Sequence, residues 1–322
     1  MRRVSILLFV AGLALALAAA VAQQSQAIFS DQAQVSSNAF TTAATFPGWL
    51  ETGSYTGNGV DNRSITGVSF QADVVIVKSN VGQAAVIRTS TMAGDVSKVV
   101  TLGGALLADE IQSINSNGFT IGTSSRVNAN GQTFYWVAMK AGSNMKVGSY
   151  VGNATDNHSI TGVGFQPTWV ITLGDGEESW FKPSGLAGDA SFRMDGTSTF
   201  TDRIQAVESG GFQVGANTNV NKASTTFHYI AWKADTNVKE STYTGNNTDD
   251  RSITGVGFQP VLVWVKRDSG NQSAWRPAST SGQTSLLWDT TVAATNDIQA
   301  LETDGFQVGN NARTNTTGTY HY

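Results

Sequence analysis

The chain has no cysteine, which excludes a disulfide framework and thiolate metal sites and leaves packing and hydrogen bonding as the sources of stability. Charge is sparse. Asp, Glu, Lys and Arg make up 14% of the residues and the net charge is −4, so no basic surface is expected for a nucleic-acid backbone, and nucleic acid is not an expected partner. With only three histidines, the supply of general bases is poor. No phosphate loop, dinucleotide fingerprint or His-Glu-x-x-His motif occurs. Beyond residue 22 no apolar run is long enough to span a bilayer, so membrane contact is expected only during export.

What is abundant points to strands. Gly numbers 34, and the body is dense in Thr, Ser, Asn and Val, a composition that favours short strands joined by polar turns. The N-terminus differs: Arg2 and Arg3 precede an apolar run over residues 4–22, the layout of a signal peptide. Small-residue patterns place cleavage after Ala22 or Ala27. An uncleaved anchor is the alternative, since about 19 apolar residues can just span a bilayer. The expected location is secreted, extracellular or associated with the cell surface.

Residues Ala27-Ile28-Phe29-Ser30-Asp31, followed by Ser37-Asn38-Ala39-Phe40-Thr41-Thr42, resemble the processing region of TasA and camelysin. That resemblance covers residues 1 to about 45 and implies an export route. It departs from the family at Ala43-Ala44, where Gly-Thr is usual.

Internal repetition organises the rest. Tyr55 to Phe70, with Asp61-Asn62-Arg63 between them, returns as Tyr150 to Phe165 with Asp156-Asn157-His158, and again as Tyr243 to Phe258 with Asp249-Asp250-Arg251. Later in each copy Ile111-Gln112, Ile204-Gln205 and Ile298-Gln299 precede Gly118-Phe119, Gly211-Phe212 and Gly305-Phe306. A Gly-x5-Asn spacing follows at Gly122/Asn128, Gly215/Asn221 and Gly309/Asn315. The expected fold is all-β: three tandem β-sandwich or jelly-roll-like repeats of about 93 residues after the signal peptide. A propeller fits poorly, because its blades recur at about 40 to 50 residues. The expected boundaries are signal peptide 1–27, linker 28–50, and repeats at 51–146, 147–239 and 240–322.

Residues 74–77, 169–173 and 261–265 form continuous apolar runs expected to be buried on both faces. The closing strand, Phe134 to Lys140 and Phe227 to Lys233, is cut short in the third copy at Tyr320-His321-Tyr322. A truncated gene is the plain reading of that end. An unpaired edge there also offers a place for self-association, with the strand-competent segment 39–46 of one subunit entering the next. The opening Tyr-Thr-Gly-Asn-Gly, the Gly-Phe-Gln-Pro corner, the Gly-Phe-x-Val-Gly turn and the closing Tyr-x-Ala-Trp-Lys strand resemble a module of unknown function in phage tail or fibre-like proteins and secreted bacterial proteins. The resemblance implies a repeated, extracellular, surface-exposed role and carries no catalytic residue.

Candidate sites are few. His158 replaces Arg63 and Arg251, while His228 and His321 stand where the first copy has Tyr135; residues exchanged so freely are not expected to be shared catalytic groups. The adjacent pairs Glu177-Glu178 and Asp109-Glu110 would serve glycoside hydrolysis only if held across a cleft. Asp61, Asp156, Asp249 and Asp250 are candidate calcium ligands, with Asx-turns as the alternative. Trp180 with Lys182, and Trp275 with Arg276, are candidates for stacking on sugar rings, with core packing as the alternative. The expectation is a non-enzymatic structural or adhesive protein of the cell surface or matrix without an obligate cofactor. A carbohydrate-binding array is the second reading. A phage-fibre-like receptor-binding protein or hydrolase accessory domain is the third.

Overall fold

The structure, a computed structural model, describes residues 48–322 except 102 and 197. The expected signal peptide, the TasA-like segment and nearly all of the linker lie outside the described residues. The first copy runs β1 (Leu50–Thr56), β2 (Arg63–Thr66), β3 (Val74–Ser79), β4 (Val86–Thr89), β5 (Lys98–Val99), β6 (Ile111–Asn115), β7 (Gly118–Ile121), a helical turn α1 (Ser125–Asn128) and β8 (Thr133–Met139). The second runs β9 (Met145–Val151), β10 (His158–Ile160), β11 (Trp169–Gly174), β12 (Ser179–Pro183), β13 (Ser191–Arg193), β14 (Thr199–Phe200), β15 (Ile204–Glu208), β16 (Gly211–Val214), α2 (Thr218–Asn221) and β17 (Thr226–Trp232). The third runs β18 (Thr242–Gly245), β19 (Arg251–Thr254), β20 (Leu262–Arg267), β21 (Ala274–Pro277), β22 (Leu286–Leu287), β23 (Ile298–Glu302), β24 (Gly305–Val308) and β25 (Gly318–His321).

Each copy pairs a large antiparallel sheet with a three-stranded one. The orders are β1-β8-β3-β4-β5 with β2-β7-β6, then β14-β13-β12-β11-β17-β9 with β10-β16-β15, then β18-β25-β20-β21-β22 with β19-β24-β23. The fold is the expected all-β sandwich. Period-2 alternation explains the uninterrupted apolar strands. Val75 and Val77 of β3 face the small sheet and pack with Ile65, Phe119 and Ile121. Val74 and Ile76 face the other way, into a second core that no single copy owns.

That second core joins the three large sheets, with Ile76, Ile87 and Met139 meeting Ile171, Phe181 and Ile230, and Trp275, Leu286 and Trp288. The copies are therefore welded together rather than strung as beads. Polar contacts run the same way around the set. Lys98 Nζ donates to Gly174 O of the second copy at 2.9 Å. Phe192 of the second copy lies 4.7 Å beneath Lys266 Nζ of the third, and Ala85 N–H of the first donates to Trp288 O of the third at 2.9 Å. Each copy touches both others, so a head-to-tail contact that would otherwise propagate closes within one chain.

The linker expectation needs one correction. Trp49 and Leu50 pack against the shared core, and Leu50 pairs with Met139 in β1–β8, so the first copy begins before residue 51. The third copy differs at its close: β25 has four residues where β8 and β17 have seven. It pairs β20 only at Lys266 and Arg267.

Candidate functional site

The expected sugar-stacking side chains are interior. Trp180 and Trp275 are each 1% exposed, so neither offers a ring face to a ligand, which corrects the expectation of an exposed platform. Their neighbouring cations point at backbone. Lys182 Nζ donates to the carbonyls of Leu186, Gly188 and Ala190 at 3.1, 2.9 and 2.5 Å. Arg276 reaches Thr284 O at 2.6 Å and Gly282 O at 2.7 Å, and Arg88 in the first copy likewise reaches Gly94 O at 2.6 Å. The cation in each copy ties down its own loop by satisfying carbonyls that would otherwise be buried unpaired. Burial pushes the ammonium groups of Lys78, Lys98 and Lys182 down to about 8 and that of Lys266 to about 7.

The repeated acidic loop has partners of its own. Asp61 Oδ1 accepts from Gln112 Nε2 at 2.9 Å, Asp156 Oδ1 from Gln205 at 2.8 Å, and Asp249 Oδ1 from Gln299 at 3.0 Å. A register shift at each of these glutamines aims the side chain at the loop, a known use of β-bulges. Asn62 N–H and Asp250 N–H add bonds to the side chain of the preceding Asp at 2.8 and 3.1 Å, and the Asx-turns of these loops are made by Asn58, Asn153 and Asn246, which accept Val60, Thr155 and Thr248 N–H at 3.0, 2.8 and 3.0 Å. Asp250 itself takes up a positive φ of 54° at the turn. Among the described residues no three His, Asp or Glu side chains converge in a way that would hold a metal ion.

The Gly-x5-Asn spacing marks the hub of each copy. Asn128 is fully buried; its Nδ2 donates to Gly122 O and Val60 O at 2.8 Å each, and its Oδ1 accepts Asn58 N–H at 3.0 Å. Asn221 repeats all three bonds, and Asn315 repeats two of them, donating to Thr248 O and accepting Asn246 N–H. Beside each hub a tyrosine hydroxyl donates to a helical-turn carbonyl: Tyr55 to Val127 at 2.6 Å and Tyr150 to Val220 at 2.6 Å. Arg63 covers the Tyr55 ring at 5.3 Å and Arg251 covers Tyr243 at 5.5 Å. His158 takes that place in the second copy, edge-on to Tyr150 at 6.3 Å.

Two histidines sit between copies. His228 is 5% exposed and its Nδ1 meets Thr91 Oγ1 of the first copy at 2.7 Å; burial lowers its pKa to about 4. His321 faces Asp268 Oδ1 at 2.5 Å and Glu240 at 3.8 Å. The nearby hydroxyl of Ser184 donates to Glu240 at 2.9 Å rather than to the imidazole, so these groups do not form a nucleophile–base pair. The adjacent acids also bind protein: Glu110 pairs with Arg126, Glu177 with Lys222 and Glu178 with Arg193, while Asp109 accepts Thr123 N–H at 2.8 Å.

An apolar concave site lies elsewhere, beside β20 of the third copy. A groove of about 160 Å³ runs between residues 237–240 and residues 260–264, floored by Trp169, Trp232, Trp264 and Phe258 and flanked by Trp49 and Tyr322. An apolar cavity of about 150 Å³ holds one benzene-sized group, so this groove has room for little more than one aromatic ring. Met139 pairs with Leu50 in the first copy and Trp232 pairs with Met145 in the second; Val238, which lines the groove, stands in the place of Leu50 and Met145 in the third. Leu262 and Trp264 are half-buried, while their counterparts Val74 and Ile76, and Trp169 and Ile171, are buried. Aromatic packing beneath is dense: Trp264 lies 4.9 Å from Trp169, 4.5 Å from Phe181 and 4.8 Å from Trp288. What sequence reading missed was the groove's second wall, because Trp49, Trp169 and Trp232 come from other copies.

No curated protein and no solved structure matches the chain. The family model that does match covers residues 47–145 and 233–321, the first and third copies, while the intervening second copy repeats their hub hydrogen bonds. As these matches span more than half of the 322 residues, the chain belongs to the family described as Domain of unknown function (DUF7483).

Proposed function

We propose that the chain is a secreted, non-enzymatic structural or adhesive protein of the cell surface or extracellular matrix, in which three modules act as one rigid block. The observation that carries this reading is where the repeated polar residues are used. The Asn hubs, Gln–Asp pairs, Tyr hydroxyls and loop-binding cations are all bonded within the chain. A residue set repeated for catalysis or ligand binding would instead present free donors and acceptors to a cleft. Export is supported by Arg2, Arg3 and the apolar run at residues 4–22; an absence of cysteine suits a block held by packing alone in any redox environment.

The test is expression of the full chain in a bacterial host followed by fractionation and N-terminal sequencing. Recovery outside the cytoplasm, starting near Gln23 or Ile28, is the expected result, and retention of the intact leader in the cytoplasm overturns the export reading. Purified protein immobilised on beads should retain whole cells or matrix polymer without altering the material it holds. Release of soluble products from that polymer would restore an enzymatic reading.

A further inference from the structure

We propose that three buried lysines form a pairing code, one ammonium for each interface between copies, which makes the edge of the first copy fit the loop of the second alone and so fixes the cyclic order of the block. It concerns how the modules recognise one another and does not depend on export or adhesion. Two sheet positions carry the code. On the central strand Lys78, Leu173 and Lys266 are equivalent, since they pair with Tyr135, His228 and His321. On the outer edge Lys98, Phe192 and Leu286 are equivalent, since they pair with Ile87, Phe181 and Trp275. The edge of each copy abuts the loop that follows the central strand of the next. Gly176 N–H donates to Gly104 O at 3.2 Å between the second copy and the first, and Ala293 N–H donates to Asn80 O at 3.1 Å between the third and the first. Between the second and third, Phe192 lies beneath Lys266.

Lys78, Lys98 and Lys266 are all fully buried, and each serves one loop. Lys78 Nζ donates to Val81 O at 3.4 Å and to Gln83 O of its own loop, and to Thr291 O of the third copy at 3.2 Å. Lys266 Nζ donates to Arg267 O, Gly270 O and Asn271 O at 2.9, 3.2 and 2.7 Å. The second copy has Leu173 at that position, and its loop takes its ammonium from the first copy: Lys98 Nζ donates to Gly174 O and Glu177 O at 2.9 and 2.5 Å. Where the loop has its own lysine, the edge residue of the neighbouring copy is apolar, Leu286 for Lys78 and Phe192 for Lys266. This paired exchange carries the proposal, because it holds the count at one in every interface. Other matings break the count. Lys98 against the loop of the first or third copy would put two ammonium groups in one buried site, where they repel and share too few carbonyls. Phe192 or Leu286 against Leu173 would leave the carbonyls of Gly174 and Glu177 buried without that donor. Reversing the cyclic order makes both errors at once. A buried polar residue that sets the register of a coiled coil acts on the same principle.

The experiment moves the ammonium across one interface of the full chain. Lys98→Leu leaves none there and Leu173→Lys leaves two, and each should lower Tm by about 3 °C or more. The double variant Lys98→Leu/Leu173→Lys restores one ammonium from the opposite side and should recover at least about half of the summed loss. Lys98→Leu/Leu173→Met, which supplies volume without charge, should recover none of it. If a single variant does not fold, folding of the double variant together with failure of the methionine control gives the same result. The double variant also leaves one lysine for every possible mating, so it should fold with less fidelity. Fidelity is read from a disulfide: an added Cβ at Gly103 would lie 3.5 Å from Glu178 Cγ, so Gly103→Cys with Glu178→Cys, in a chain that has no other cysteine, reports the first edge on the second loop. After refolding from urea, the yield of intramolecular disulfide should fall at least about twofold in the double variant relative to the parent sequence carrying the same cysteines. A double variant no more stable than the single ones, or recovery by methionine equal to that by lysine, overturns the proposal. Recovered stability with an unchanged disulfide yield also overturns it, since the lysines would then stabilise the interfaces without selecting them.

Discussion

The first and third copies share their motifs, their sheet order and their hub hydrogen bonds, yet they contribute opposite kinds of residue to the common core. At equivalent sheet positions the first copy presents Ile76, Ile87 and Val100, and the third presents Trp264, Trp275 and Trp288. Large aromatic side chains on one side thus meet smaller aliphatic ones on the other, as close packing of a shared core requires. The comparison shows a conserved interior within each copy and a differentiated face between copies.

The strongest way to break this comparison is to remove volume where the third copy supplies it. Trp275→Ala should cost about 3–5 kcal/mol, against about 2–4 kcal/mol for Ile87→Ala at the matching position of the first copy. Urea unfolding should stay a single transition in both variants. Hydrogen exchange should speed up in β3 as well as β20, because the core is shared; acceleration confined to the third copy would show the sandwiches to be energetically separate.

A smaller effect comes from acid. His228 is held neutral by burial, with its pKa lowered to about 4 from about 6.5 in the unfolded chain. Between these values the unfolded state binds the extra proton, so stability is intact above pH 6.5 and falls as pH drops through 4, by up to about 3 kcal/mol. His228→Tyr, which installs the first copy's residue, should flatten that slope. An unchanged slope would assign the acid sensitivity to other groups.

Within the copies the comparison should sharpen into equality. Asn128→Ala and Asn315→Ala each leave buried backbone groups without partners and should cost about 2 kcal/mol apiece. A cost twice as large in one copy would contradict hub equivalence. Smallest of all, Gln299→Ala should cost about 1 kcal/mol, and millimolar calcium should shift the Tm of the parent chain by less than about 1 °C. A calcium-dependent rise that Asp249→Asn removes would establish a cation site in the loop.

Much of each sandwich was legible in the sequence. The Gly-x5-Asn spacing corresponds to a bond from Asn128 to Gly122 O, and the Gly-Phe motif is explained by Gly118, where an added Cβ would fall 1.9 Å from Ile65 O. The Ile-Gln motif marks a bulge that sends Gln112 to Asp61. These are local or within-copy relations, so one repeat compared with another exposes them. The candidate stacking residues were harder to place. Trp180 and Trp275 have the same neighbours in sequence whether they face solvent or core, and spacing alone does not tell a sheet's outer face from an inner one.

The sequence by itself determined a three-fold repetition of an all-β module, its short strands and turns, and the residues that tie each module together. Only the tertiary structure decided that the large sheets turn their second faces toward each other. That decision depends on apolar surfaces contributed by residues about 93 positions apart, such as Ile76, Ile171 and Trp264, each of which reads locally as one more strand residue. It is the meeting of three such faces that buries the tryptophans, places His228 and His321 between copies and leaves a groove with walls from all three.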